Sequence, residues 1–360
     1  MKPYIPEKLP LKKLDYNPFI KLIGKANRAL ARYDGLLLSI PNPTILLSPL
    51  KDQEAVLSSK IEGTQATLEE VYKFEAGEKI VPENKKYDIQ EIINYRKATN
   101  FAVEELKKIP LSLRMLRNIH SILLNSVRGQ NKDRGNFRTI QNWIGKPGAT
   151  IENATYVPPP PDLILNKLSN LEKYLHTNNE DCIIQMAIIH AQFELIHPFL
   201  DGNGRIGRII IPIFLYSKKV LSLPVFYLSS YFEKNRELYY QNLLSISKQR
   251  KWGKWIKFFL EAVFKQSNEN ITKAKEILNL YESMQERIYN STHSPNIMKI
   301  MDVIFNHPIF TSKNFISYTG INSKTSYRIL KQLKENGIIY SDEKLRKQTY
   351  YFTELLRIVK

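Results

Sequence analysis

From residue 88 onward, apolar side chains return at three- and four-residue spacing in block after block, a period that a helix buries along one face. The blocks run over Asp88–Leu106, Leu111–Val127, Pro161–His176, Cys182–Ile196, Arg205–Lys219, Ser230–Lys248 and Trp255–Phe264. Pro110, Pro158 to Pro161 and Pro224 fall between them, where a helix must stop. Such a chain is expected to be mainly helical. The stretch from Phe137 to Val157 breaks the rule. Trp143, Gly145, Pro147, Gly148 and the run Thr150–Val157 predict two short strands around a turn, a β-hairpin set into a helical domain.

Outside that core the pattern changes. Seven prolines punctuate the first fifty residues around one helical stretch, Phe19 to Leu38. A helix over Asp52–Phe74 is interrupted at Ile61-Glu62-Gly63-Thr64, with Gly63 as stop and Thr64 as cap. Glu83 to Lys86 reads as a charged turn, and a polar helix over about Asn268–Tyr289 runs to a break at Ser291–Pro295. Three helices follow: Ile297–Asn306, one capped by Thr311, and Ser323–Asn336 after Gly320. Strands at Ile338–Tyr340 and Thr349–Phe352 complete the pattern of a small α+β winged helix-turn-helix. The expected domains are residues 1–87, a core at 88–265 with its hairpin at 137–157, a helical linker at 266–294 and the winged helix at 295–360.

The chemistry concentrates in one loop, His197-Pro198-Phe199-Leu200-Asp201-Gly202-Asn203-Gly204-Arg205-Ile206-Gly207-Arg208. Two glycines around an asparagine let backbone N–H groups converge on an anion, and the positive end of a new helix adds to the attraction. Arg205 and Arg208, three apart, are placed to reach the same phosphates. Asp201 offers a hard oxygen to Mg²⁺, and His197 is the group suited to act as a base near neutral pH. Asn-Gly between helices is often only a turn, and arginines near a helix start are often solvated. All of these features within twelve residues favour phosphate handling.

The loop resembles the signature of the Fic (filamentation-induced-by-cAMP) family, His-x-Phe-x-Asp/Glu-Gly-Asn-Gly-Arg-x-x-Arg, at every fixed position. Phe137–Gly145 with Tyr156–Pro161 resembles the family's flap, and Tyr231-Phe232 with Arg236-x-x-Tyr239-Tyr240 resembles its nucleotide-side helix. The resemblance covers about residues 5 to 265. It implies an all-α core with a flap and transfer of AMP from ATP to a protein hydroxyl, of a target or of the protein itself, with release of pyrophosphate. His197 would deprotonate a Ser, Thr or Tyr hydroxyl, and Asp201 would hold Mg²⁺. Gly202, Asn203 and Gly204 would form the anion hole, with Ile206 and Gly207 in the same ATP-binding segment. Arg205 and Arg208 would bind phosphates, Tyr239 and Tyr240 would border the adenine or ribose, and Trp143, Ile144 and Gly145 would dock the target. Ser58-x-x-x-Glu62-Gly63 resembles the inhibitory motif of the N-terminally inhibited class, in which Glu62 would engage Arg208 and misplace ATP. In some relatives that Glu also serves AMP removal, so an enzyme that also removes AMP, or one that uses another nucleotide donor, stands as an alternative.

A net charge of +18 suits acidic partners without naming them. The tail from Pro295 includes Lys324, Arg328, Lys331, Lys344, Arg346, Lys347 and Lys360. Nucleic acid, a protein target and a second copy of the chain stand as its alternative partners, and a DNA-binding regulator with a self-modifying core as the rival reading of the whole. Cys182, the single cysteine, allows no internal disulfide and reads as a small buried hydrophobe. No apolar run approaches the roughly 18–20 residues of a membrane span. With no signal-peptide core at the start, a cytoplasmic protein is expected.

Overall fold

The computed structural model describes residues 2–12, 14–78, 83–127, 131–178, 180–342 and 348–359. Lys344, Arg346, Lys347 and Lys360 lie outside the described residues. The N-terminal region forms α1 (Ile20–Ser39), α2 (Pro43–Leu46), α3 (Ser48–Ile61) and α4 (Leu68–Glu75). Helix α3 stops where expected, because Gly63 takes φ +102°. The cap of α4 is Thr67 rather than Thr64. Its hydroxyl accepts from Glu70 N–H while the Glu70 carboxylate accepts from Thr67 N–H, a reciprocal box that Thr64 has no partner to form.

The core continues with α5 (Glu83–Leu106), α6 (Leu113–Leu123), α7 (Pro161–Leu175), α8 (Cys182–Ile196), α9 (Asn203–Ser217), α10 (Ser229–Lys234) and α11 (Arg236–Gln249). The charged stretch at residues 83–86 opens α5 instead of forming a turn. Helix α8 is buried on nearly every side, as an all-apolar helix must be, and packs against α7, α9 and α12. Cys182 at its start is half-buried, and burial pushes its thiol up to about 11.

Helix α12 (Trp252–Thr292) joins two expected helices and the expected linker into one of 41 residues. No glycine or proline interrupts residues 254–292, and the buried face runs on through Ile271, Ala274, Ile277, Tyr281, Met284 and Ile288. The chain ends with α13 (Ile297–Asn306), β1 (Ile309–Thr311), α14 (Ser312–Thr319), α15 (Ser323–Glu335), β2 (Tyr340–Ser341), β3 (Thr349–Tyr351) and α16 (Thr353–Val359). The three strands form an antiparallel sheet in the order β1-β3-β2, with Phe310 opposite Tyr350 and Tyr340 opposite Tyr351. Strand β1 and helix α16 are additions to the expected pattern.

The hairpin at 137–157 is slighter than expected. Its pairing is a single antiparallel bridge, Ile144 with Tyr156, in place of two strands. Pro147, Gly148 and the prolines from Pro158 onward deprive the ladder of donors and stiffness on both sides.

Candidate active site

Helix α8 ends in His197, which adopts φ +50° and turns the chain into the loop. Phe199, fully buried, anchors that loop, and its ring stacks on His120 at 3.9 Å. The Asn203 side chain accepts from Phe199 N–H at 2.9 Å and donates to Phe199 O at 2.8 Å, which pins the loop from inside. His120 holds it from α6. Its Nδ1 accepts from Gly135 N–H at 2.8 Å, so the proton sits on Nε2 and is donated to Asp201 O at 3.2 Å. Gly202, at φ +77°, caps α9 in a left-handed conformation that suits glycine. The first N–H groups of α9, beside Gly204, have no acceptor within the helix and so form an anion-receiving end.

The two arginines diverge. Arg205, 3% exposed, donates to Glu91 Oε2 on α5 and to Asp201 Oδ1, both at 3.1 Å. Arg208, 2% exposed, turns to α3. Its Nη2 donates to Glu62 Oε1 at 2.6 Å and Ser58 O at 2.9 Å, and its Nε to Ser58 Oγ at 2.8 Å. Arg236 on α11 fixes the same end of α3 by donating to Ile61 O at 2.6 Å. The Glu62 carboxylate lies directly against Gly204. A side-chain carbon at Gly204 would come within 2.2 Å of Oε1. Burial opposes ionisation of Glu62, yet Arg208, with Arg205 and His197 behind it, holds its carboxyl below the usual value.

His197 is held neutral. Burial is the main cause and the Arg138 charge the next, together pushing the imidazole down to about 4. Glu194, one turn earlier on α8, is raised by burial to about 8. Its carboxyl occupies the room left by Gly207, 2.3 Å from where a side-chain carbon would stand. Behind α9, His190 donates from Nδ1 to Gly207 O at 3.0 Å and accepts the Tyr239 hydroxyl on Nε2 at 2.9 Å. Ile206 and Tyr239 are thus buried with His190, whereas Tyr240 is 43% exposed. Trp143 and Ile144 are exposed on the flap, next to Gly145.

The structure therefore brings His197, Asp201, Gly202 to Gly204, Arg208, Ser58 and Glu62 around one loop, and puts Tyr239 behind it. Sequence reasoning missed Glu91, Arg138 and Glu194. A buried arginine at a helix start signals an acidic partner somewhere, but not that it lies on α5. For Mg²⁺, Asp201 fits as a lone protein ligand. Its side chain is 40% exposed, and Oδ1 is taken by Arg205 and Gly202 N–H while, among the described residues, no hydrogen bond engages Oδ2. Mg²⁺ commonly completes its shell with substrate phosphates and water around one or two carboxylates.

A helical bundle in which α8 ends in a left-handed histidine, followed by a glycine-framed helix start, defines a mainly helical protein with its polar loop at the start of α9. The chain belongs to the Fic/DOC family: the family's N-terminal profile matches residues 20–104 and its main profile residues 110–215, together more than half of the chain. It is 28% identical over 196 residues to a probable protein adenylyltransferase of Aquifex aeolicus, covering 54% of each chain. It is 30% identical over 86 residues to the protein adenylyltransferase fic-1 of Caenorhabditis briggsae, covering 23% of this chain and 15% of that one. The chain thus spans about half of the first relative's length and much less of the second's. A Fic family protein from Desulfovibrio desulfuricans shares the fold over 98% of both chains, with TM-score 0.59 at 19% identity. Fic-1 from C. elegans does so over 71% of this chain and 72% of its own, with TM-score 0.53 at 18% identity. Among the described residues no helix is long and apolar enough to cross a membrane.

Proposed function

We propose that this protein is an adenylyltransferase that moves AMP from ATP to a Ser, Thr or Tyr hydroxyl of a target protein and of itself, and that Glu62 restrains it. The observation that carries the reading is the convergence of neutral His197, the glycine-framed start of α9 and Arg208 on one loop. The target oxygen attacks the α-phosphorus, its proton passes to His197, and the bond to pyrophosphate breaks. The first turn of α9, with Gly202, Asn203 and Gly204, receives phosphate oxygens, and Arg208 meets the far phosphate once freed. Mg²⁺ bound at Asp201 would neutralise phosphate charge, and Arg205, tied to Glu91, keeps that carboxylate in place. Exposed Trp143 and Ile144 suit pairing with an extended target segment beside Gly145. Tyr240, exposed on α11, would border the adenine or ribose, with buried Tyr239 packed against it from within.

Glu62 and Ser58 together satisfy Arg208, so a γ-phosphate has no arginine to meet while Glu62 is seated. The test uses α- and γ-labelled ATP with the parent, His197→Ala and Glu62→Gly proteins. Label is expected from the α position alone, sharply raised in Glu62→Gly and lost in His197→Ala. Label from the γ position, or label that survives His197→Ala, would sink the reading.

One further observation favours a second reading, a nucleic-acid-binding regulator with a winged helix at its C-terminus. Lys324, Tyr327, Arg328 and Lys331 form an exposed stripe at helical spacing on α15, Tyr327 being 56% exposed. Duplex DNA should then bind with an affinity that falls steeply with salt, and Lys324→Glu with Arg328→Glu should flatten that slope. Binding that ignores both salt and these changes would remove it.

A further inference from the structure

Arg138 sits at the foot of the flap, 2% exposed. Its Nε donates to the carbonyl of His197 at 2.9 Å, its Nη1 to Ile140 O at 3.1 Å and its Nη2 to Pro159 O at 2.5 Å. Its own N–H donates to Pro198 O at 2.9 Å. One guanidinium thus ties the way into the flap, the way out of it and the residue that begins the loop. Two neighbours reinforce the join: Asn142 donates to Phe199 O at 3.1 Å and the Tyr156 hydroxyl to Leu195 O at 2.5 Å.

The unusual feature is what Arg138 lacks. Buried arginines ordinarily face carboxylates. Arg205 and Arg208 do, with Glu91, Asp201 and Glu62. Arg138 has only carbonyl oxygens, and among the described residues it takes part in no ion pair. Burial lowers its own proton affinity to about 10, which leaves it charged at neutral pH. A full positive charge therefore stands beside His197, joined to that residue's backbone and balanced by dipoles alone.

We propose that Arg138 is the positioning residue of His197: its fork fixes the left-handed backbone from which the imidazole projects, and its unpaired charge acts on that imidazole through space. This rests on reading His197 as the base. The charged groups around His197 are few. Glu194 approaches from α8 through its backbone, Glu62 from the end of α3, and Asp201 from the loop. Arg205 and Arg208 on α9 are already engaged by acids. The acids favour a protonated imidazole, whereas burial and Arg138 oppose it, and the balance falls at about 4. Without Arg138 the acids gain ground and His197 holds its proton at higher pH.

The experiment compares Arg138→Lys, which keeps the charge and loses the fork, with Arg138→Gln, which loses the charge. Both are made in the Glu62→Gly background. The acid limb of the self-labelling rate should stay in place for Lys and move up by about one pH unit for Gln. His197 is also titrated by NMR, assigned by its absence in His197→Ala, in the parent and both variants without nucleotide. The parent imidazole should stay neutral well below pH 6, and the Gln variant should titrate higher than the Lys variant. Coincident limbs and titrations for Lys and Gln would reduce Arg138 to a structural clip and overturn the proposal. A parent His197 titrating near 6.5 would do so without any variant, even if Arg138→Gln fails to fold. The titration needs no turnover, so a Glu62→Gly protein that never labels itself would refute self-transfer and leave this result standing.

Discussion

Arg208 shows how single residues decide this site. It is almost fully buried, and Glu62 is the anionic partner that its hydrogen bonds reach. Because the Glu62 carboxyl lies below its usual value, the ion pair is intact at neutral pH and is lost only as pH falls through that lowered value. The labelling ratio of Glu62→Gly to parent should therefore stay flat from pH 6.5 to about 8.5. A ratio that collapses within this window would mean that another group holds the restraint. Glu54, on the same helix, behaves oppositely. Burial raises it to about 7 despite bonds from Ser229 and Tyr95, so the folded protein holds its proton more tightly than the unfolded chain does. Its contribution is present below the ordinary carboxyl value and is lost as pH rises through about 7. Glu54→Gln, which mimics the protonated carboxyl, should stabilise the protein at pH 8.5 by on the order of 1–3 kcal/mol and change little near pH 4.5. Thermal unfolding at the two values checks this. At this scale the loop was legible because its parts are contiguous in sequence. Glu91, Glu194 and Arg138 were not, since each is recognised by what packs against it, and Glu91 is 114 positions from Arg205.

Among the elements, the flap and α16 carry the clearest consequences. The flap's pairing rests on Ile144 and Tyr156, whose N–H groups and carbonyls are exchanged at 2.8 and 3.0 Å. Ile144→Pro removes one of those donors. It is expected to abolish transfer to a partner while leaving ATP affinity unchanged, as read by target labelling beside nucleotide titration. Helix α16 buries Leu356 in a small cluster with Tyr72, Ala76 and Ile309, so it fastens the C-terminal unit to α4. Leu356→Ala should cost about 2–3 kcal/mol in chemical denaturation. Most helices could be read from their period. The elements that escaped are those without one: β1 has three residues and α16 seven, too short for a repeat to show. The flap misled in the other direction, since its sequence carries strand-forming residues but its prolines and glycines prevent a ladder.

At the scale of the whole molecule, α12 matters most. Its first half packs on α1 and α8, while its second half buries Ile277, Tyr281, Met284 and Ile288 toward the C-terminal unit, where Tyr281 meets Phe305 at 5.2 Å. Arg287 adds a two-pronged bond to Glu354 on α16, both contacts at 2.9 Å. A chain ending at Ser294 would expose that apolar face, and it is expected to melt lower and to self-associate on size exclusion. Full-length behaviour in a monodisperse truncated protein would contradict this. Read from sequence, α12 divides into two helices because Asn268, Asn270 and the charges after them look like a boundary. In the structure Asn268 is half-buried and Asn270 buried on one helix that runs unbroken from Trp252 to Thr292.

That continuity also bears on how such a chain can be recombined. At about 1.5 Å per residue, α12 is a spar of roughly 60 Å. A fusion or exchange joined anywhere within it would have to preserve the helical phase, since one inserted residue turns everything beyond it by about 100°. The natural seam is His293–Asn296, where His293 takes φ +43° and the helix ends. Grafting a different C-terminal unit there would replace the surface of α13 to α16 and leave the loop at residues 197–208 on its original scaffold.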